Sequence, residues 1–220
     1  MAARRTTSPV ADAPAGEGAS PSASPALRSD AERNRRRILD AAREVYAEHG
    51  LGVGVDVVAR AAGCGVGTLY RRFPTKQDLF RAIVEDRVDQ LAAALGEAAA
   101  IGDPWEAFVR AAEEFAGAIA RDRAFFEVVQ HVEPGAAIAA RERSLKALAP
   151  ILRRAQKAGV VRADLVIEDV PALCAVAARL PAWRLEQQPE LWRRYLGVVL
   201  DGVRAEAAHP LGHPPPKRAR

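Results

Sequence analysis

The sequence predicts an all-α chain of about nine helices, three short ones followed by a larger helical bundle. Three observations carry that expectation. Apolar residues recur at three- and four-residue spacing instead of alternating as a half-buried strand requires. Helix-start signals precede several of these runs: Ser29-Asp30-Ala31-Glu32, Thr75-Lys76-Gln77-Asp78 and Asp103-Pro104-Trp105-Glu106. No stretch reads as a strand, and no unit of roughly 20–50 residues repeats.

The elements follow in order. Residues 1–28 are rich in Ala, Pro and Ser without periodicity and read as a disordered tail, with Arg4 and Arg5 as a loose basic arm. Residues 209–220, HPLGHPPPKRAR, read likewise. The Ser29–Glu32 capping box opens the first helix, whose apolar positions Ile38, Ala42, Val45 and His49 end at Gly50. A second, short helix spans about 55–62. A glycine-bearing turn at Gly63–Gly65 leads to a third over 66–73, which Pro74 ends by disfavouring helical geometry in the residue before it.

Thr75 and Asp78 cap a longer fourth helix with the stripe Phe80, Ile83, Val84, Val88, Leu91 and Leu95. The fifth begins at Asp103-Pro104 and lines up Trp105, Phe108, Ala112, Phe115 and Ile119. Further helices are expected over roughly 123–132, 136–158, 168–180 and 190–206. The last two are apolar along one face, through Val170, Leu173, Val176, Ala177 and Leu180, then Leu191, Tyr195, Leu196, Val199, Leu200 and Val203.

Composition bounds the function. No apolar run approaches the ~18 residues that span a bilayer, and no signal-peptide core opens the chain, so a cytoplasmic protein without a membrane partner is expected. Cys64 and Cys174 lack metal or redox spacing and read as reduced, packed thiols. No nucleophile elbow, phosphate loop or HExxH occurs and the four histidines are scattered, so neither an enzyme, a metal nor a cofactor is expected.

The net charge of +4 is concentrated. Residues 33–81 carry ten basic side chains against five acidic ones, whereas residues 82–220 balance at nineteen each. A basic footprint of this kind suits a polyanion. Arg33, Arg35, Arg36 and Arg37 fall in the first two turns of the expected opening helix, where the macrodipole disfavours positive charge and a phosphate backbone would offset it.

Two short helices joined by a tight turn make a helix-turn-helix, here about residues 54–73, whose second helix fits a DNA major groove. Leu69 and Phe73 face inward. Gly67, Thr68, Tyr70, Arg71 and Arg72 then point wholly or partly outward. Gly67 permits close approach, the hydroxyls of Thr68 and Tyr70 suit phosphate oxygens, and Val66 suits a thymine methyl. The two arginines reach phosphates or guanine edges.

From Arg33 to Leu91 the chain resembles the DNA-binding domain of the TetR family of bacterial transcriptional regulators. The segments RILDAAREVYAEHG, VVARAAG and VGTLYRRFPTKQDLF carry the resemblance at the family's mutual spacing. It implies that Tyr70, Arg72 and Lys76 clamp the DNA backbone, that Val66, Thr68 and Arg71 meet bases or nearby phosphates, and that Gly67 is the small residue at close approach. Arg35 and Arg36 join this set from the opening helix. The chain departs from the family pattern at Gly54 and Gly65, where hydroxyl residues are usual, and at Cys64, where a small apolar residue is usual.

By the same resemblance, residues 29–92 form the DNA-binding domain. Residues 93–208 form a bundle that binds a small-molecule effector and pairs two subunits through its last two helices. The expected protein is a homodimeric, nucleoid-associated repressor of a near-palindromic double-stranded DNA operator, released by its effector. Trp105, Phe108, Phe115, Phe126 and Trp183 are candidates to line the effector pocket, with His131 as a polar anchor and ordinary core packing as the competing reading. A helical dimeric scaffold without operator-specific binding is the alternative function.

Overall fold

The computed structural model describes residues 25–215, which contain ten helices. They are α1 (Pro25–His49), α2 (Val55–Ala61), α3 (Val66–Arg72), α4 (Lys76–Ala99), α5 (Pro104–Arg121), α6 (Arg123–His131), α7 (Pro134–Lys157), α8 (Asp169–Ala178), α9 (Ala182–Gln187) and α10 (Leu191–Val203). Nine coincide within a few residues with the expected helices, and the short α9 is additional. Among the described residues the one strand-like feature is an antiparallel bridge between Val161 and Arg204. Arg4, Arg5 and the rest of 1–24, like residues 216–220, lie outside the described residues.

Two expectations about α1 are corrected. The helix begins at Pro25, four residues before the expected capping box. Proline suits a first helical position, and the Ala26-Leu27-Arg28 that follows is favourable helix sequence. Ser29 and Glu32 are therefore interior: the Ser29 hydroxyl accepts from Arg33 at 2.6 Å, and Glu32 faces Arg36 at 3.5 Å. Arg33–Arg37 consequently sit beyond the first turn, where the macrodipole has faded, and the dipole argument for a phosphate partner lapses.

Tight turns fix the relative angles of α1, α2 and α3. Gly50 and Gly63 adopt φ of 75° and 61°, a region costly for side-chain-bearing residues. At Gly63 the amide of Cys64 donates to the Ala59 carbonyl at 2.9 Å, and that of Gly63 to Arg60 at 3.1 Å. These paired bonds close α2 in a Schellman motif and turn the chain into α3.

Two cores form, and α4 runs through both. One gathers Ile38, Leu39, Ala42 and Tyr46 of α1, Val58 of α2, Leu69 of α3 and Leu79, Ile83 and Val84 of α4. The other joins Leu95 of α4 with Phe108, Ala112 and Phe115 of α5, Leu148 and Ile151 of α7, Cys174 of α8 and Trp192 and Leu196 of α10. Helix α6 belongs by sequence to the bundle, yet its Val128, and Val132 just past its end, are buried in the first core.

At 24 residues, α4 extends ~36 Å and connects the two ends of the molecule. The expected capping box at its start is present: the Thr75 hydroxyl accepts from the Asp78 amide at 3.1 Å, and Asp78 accepts from the Thr75 amide at 3.0 Å. At its other end, Arg154 of α7 donates to the carbonyls of Ala99 and Ile101 at 3.0 and 2.7 Å.

Candidate nucleic-acid interface and bundle cavity

Helix α3 presents two unlike faces. Leu69 is completely buried and Phe73 nearly so, anchoring the helix on α1, α2 and α4. Gly67, Tyr70, Arg71 and Arg72 are exposed, Thr68 is half-buried, and Val66 stands 41% exposed at the leading end. Tyr70 is 47% exposed, unusual for a ring of its size without a partner. Arg71 and Arg72 engage no acidic partner among the described residues, and neither does exposed Arg60 on α2. A phosphate backbone would meet open donors here.

The two glycine departures from the family pattern fall at helix starts. Gly54 caps α2 and Gly65 caps α3, each extended and neither offering a side-chain hydrogen bond. Beside Gly54, the Asp56 carboxylate occupies the space a β-carbon would need, 2.4 Å from its ideal position.

The remaining DNA-contact candidates are positioned differently from one another. Arg36 is largely exposed and, among the described residues, pairs only with Glu32. Arg35 is 22% exposed and turns toward Asp86 of α4 at 3.7 Å. Lys76 is drawn inward: its ammonium donates to the carbonyls of Leu51 and Val53 and lies over the rings of Tyr46 and Phe80. Its first role is therefore to hold the α1–α2 loop.

Asp86 is a node that the sequence did not reveal. Its carboxylate meets Arg43 of α1 at 2.9 Å as well as Arg35. The next residue, Arg87, faces the opposite way toward the bundle. It lies 3.6 Å from Asp122, whose carboxylate caps α6 by accepting from the Phe125 amide at 3.0 Å. Burial pulls the Arg87 guanidinium below its ordinary value, Asp122 opposes that shift, and its Nε has no hydrogen-bond partner among the described residues.

Between α4, α5, α6, α7 and α8 lies a cavity of about 490 Å³. Apolar walls come from Val88, Leu91, Phe115, Ile119, Phe125 and Val129, and polar groups from Arg87, Arg141, Ser144, Glu168 and Arg179. Its size is ordinary for a small-molecule site.

Of the pocket candidates whose side chains are described, Phe115 alone reaches this cavity. Phe108 is core, 2% exposed and packed beside Trp105, whose own ring carries the Arg204 guanidinium at 4.0 Å. His131 is exposed and sits edge-on to Phe80 of the first core. Trp183 is 56% exposed on α9. The Phe126 side chain lies outside the described ones. A list of aromatic residues could not separate cavity from core, because both need large apolar groups. The polar wall residues left a fainter signal: Arg87 interrupts the inward stripe of α4 just before Val88.

On the opposite side of the bundle, α8 and α10 leave apolar side chains uncovered. Val176 is 74% exposed, Val198 67% and Tyr195 38%, while the expected face residues Val170, Ala177, Leu196, Leu200 and Val203 are buried within the chain. Among the described residues no three acidic, His or Cys side chains gather to hold a metal, and no helix is long and apolar enough to cross a membrane.

Comparison with known proteins agrees with this architecture. Residues 38–83 match the family profile of bacterial regulatory proteins of the tetR family, and residues 102–205 match the C-terminal domain of SbtR-like transcriptional regulators. An HTH-type transcriptional regulator of Staphylococcus aureus is 36% identical over 64 residues, covering 29% of this chain and 35% of the relative. The match thus spans about a third of that relative's length. The crystal structure of a TetR transcription regulatory protein from Mycobacterium vanbaalenii is 35% identical with a TM-score of 0.62, covering 81% of this chain and 99% of that one. A TetR regulator from Streptomyces coelicolor is 31% identical with a TM-score of 0.60, covering 77% and 98%. A helix-turn-helix with an open basic face, set on a helical bundle and shared over nearly the full length of such relatives, identifies a transcriptional regulator and not an enzyme: the chain belongs to the TetR family.

Proposed function

We propose that the chain is a homodimeric repressor that holds a near-palindromic operator and releases it when a small molecule enters the bundle cavity. The outward face of α3 carries this reading: Val66, Gly67, Tyr70, Arg71 and Arg72 are exposed beside half-buried Thr68, and the two arginines meet no acidic partner among the described residues. Tyr70 and Arg72 hold phosphates, and Arg71 reads base edges through the major groove. Arg36 adds a phosphate contact from α1, and the target is chromosomal DNA.

One such helix makes few contacts. Two copies, joined through the uncovered apolar strip of α8 and α10, read two half-sites about one helical turn apart. Release is a population shift: the effector stabilises a conformer whose α3 helices no longer match that spacing. The route runs along α4, where Asp86 grips Arg35 and Arg43 of α1 while adjacent Arg87 lines the cavity.

Selection of bound sequences from random duplex DNA tests the proposal. The expected product is a two-half-site palindrome whose affinity falls steeply with salt, by ~0.9 log units per neutralised phosphate for each log unit of salt. Recovery of no common sequence, with heparin binding as tightly as duplex, would remove the operator-specific function.

A further inference from the structure

The cavity wall is chemically lopsided. Three arginines, Arg87, Arg141 and Arg179, reach it among the described residues, against one carboxylate, Glu168. Glu168 and Arg179 each already have an interaction of their own. Ser144 donates its hydroxyl hydrogen to the Ala140 carbonyl at 3.0 Å, leaving an acceptor and no free donor.

The other two arginines retain donor capacity. Arg141 projects from α7 and pairs with no described residue. Arg87 donates to the Gln90 side chain at 3.0 Å and approaches the Ala118 carbonyl at 3.5 Å, while its buried Nε lies 3.6 Å from the Asp122 carboxylate and completes no hydrogen bond among the described residues. A desolvated guanidinium donor without an acceptor is costly to maintain, and an anion relieves that cost more fully than a neutral group does. The rest of the wall is apolar and offers nothing polar to a ligand's body.

We propose that the cavity selects an amphipathic monoanion, a carboxylate carrying a bulky apolar body. Its head lies at Arg141 and Arg87, and its body packs on Val88, Leu91, Phe115, Ile119 and Val129. The assignment rests on the bundle being an effector domain and adds the chemical class of the effector. An anion at Arg87 also competes with Asp122, the residue that caps α6, so occupancy loosens the contact between α4 and the helix that completes the first core. A cationic ligand meets unpaired Arg141 beside Arg87, which Asp122 neutralises only from one side, and is rejected.

Equilibrium dialysis of the full chain against three probes of equal length provides the test: decanoate, 1-decanol and decylammonium, each below its aggregation limit. Decanoate is expected to bind at least about tenfold more tightly than decanol, as a charge-assisted pair predicts, with decylammonium weakest. Arg141→Gln changes an exposed residue and is expected to bring decanoate and decanol within about threefold of each other. Arg87→Met is expected to do the same. Equal binding of decanoate and decanol, preference for decylammonium, absence of binding by all three, or a preference that survives both substitutions would overturn the assignment. Duplex binding measured without any probe reports on the regulator reading separately. Its loss alongside an intact decanoate preference would count against that reading alone.

Discussion

Lys76 of α4 donates from its ammonium to the carbonyl oxygen of Val53 at 2.8 Å, joining the helix that links both cores to the loop ahead of the helix-turn-helix. Leu51 receives a second bond from the same nitrogen at 2.5 Å. Two carbonyls that no helix satisfies thus share one cation, and the loop is fixed before any DNA arrives. Lys76→Met is expected to cost about 1.5–3 kcal/mol of stability and to weaken every duplex alike. Because the ammonium is already engaged, the salt slope of binding should stay unchanged. A slope reduced by ~0.9 would instead show that Lys76 neutralises a phosphate.

On α3 the two exposed residue classes should separate in their effects. Arg71→Ala is expected to relax preference at particular base pairs by about 1–3 kcal/mol each. Tyr70→Ala should weaken matched and mismatched duplexes equally. Fluorescence anisotropy against a panel of single-base operator variants distinguishes the outcomes, and uniform loss from Arg71→Ala would remove its base-reading role.

Tyr46 offers a pH-dependent test. Its hydroxyl is buried without a hydrogen-bond partner among the described residues, and burial pushes its pKa up to about 12 from an ordinary 10. The folded state therefore holds this proton more tightly than the unfolded chain. The associated stability is complete below pH ~10 and is lost as pH rises toward ~12. Tyr46→Phe should remove the late component of the tyrosinate absorbance titration. It should also leave stability at neutral pH unchanged or raised by up to about 1 kcal/mol, since no bond is lost and an unsatisfied hydroxyl is removed. A clear destabilisation would mean that the hydroxyl has a partner, such as an ordered water.

The uncovered strip on α8 and α10 predicts a specific effect on assembly. Val176 and Val198 make few contacts within their own chain, so Val176→Glu with Val198→Glu should leave the melting temperature of the isolated subunit near its original value while abolishing dimers. Sedimentation velocity checks this. A double variant that remains dimeric would move the subunit contact elsewhere.

Cysteine labelling probes the second core. Cys174 is 2% exposed, donates to the Ala112 carbonyl at 3.5 Å, and is pushed by burial up to about 12. A maleimide should modify it only after unfolding, because the thiolate is the nucleophile. Labelling of Cys174 in the native protein at neutral pH would show that α5 and α8 separate.

The reading head was largely legible in the sequence because its signals are local. Pro74, the Thr75–Asp78 box and the glycines around Cys64 each act within a few residues, and the structure contains the helices they announce. The start of α1 was harder to place, since two sensible helix openings, Pro25 and Ser29, lie four residues apart and sequence alone does not rank them. The cavity was mostly illegible. Its wall comes from five helices, and whether an aromatic ring faces a void or a neighbour depends on packing that no short window records. Phe108 and Phe115 sit two turns apart on one face of α5, yet one fills the core and the other reaches the cavity. Lys76 illustrates a further limit: its type and position suited a DNA clamp, and only the path of the α1–α2 loop reveals that carbonyls reach it first.

The position of α6 has a consequence for dissection of the molecule. Val128 and Val132 plug the headpiece from beyond α5, so a fragment cut after α4 would be left with an open apolar trench and should be sticky and ill-formed. The halves cannot be traded between proteins like beads on a string. They are expected to melt as one cooperative block, and chimeras would have to carry α6 along with the headpiece it seals.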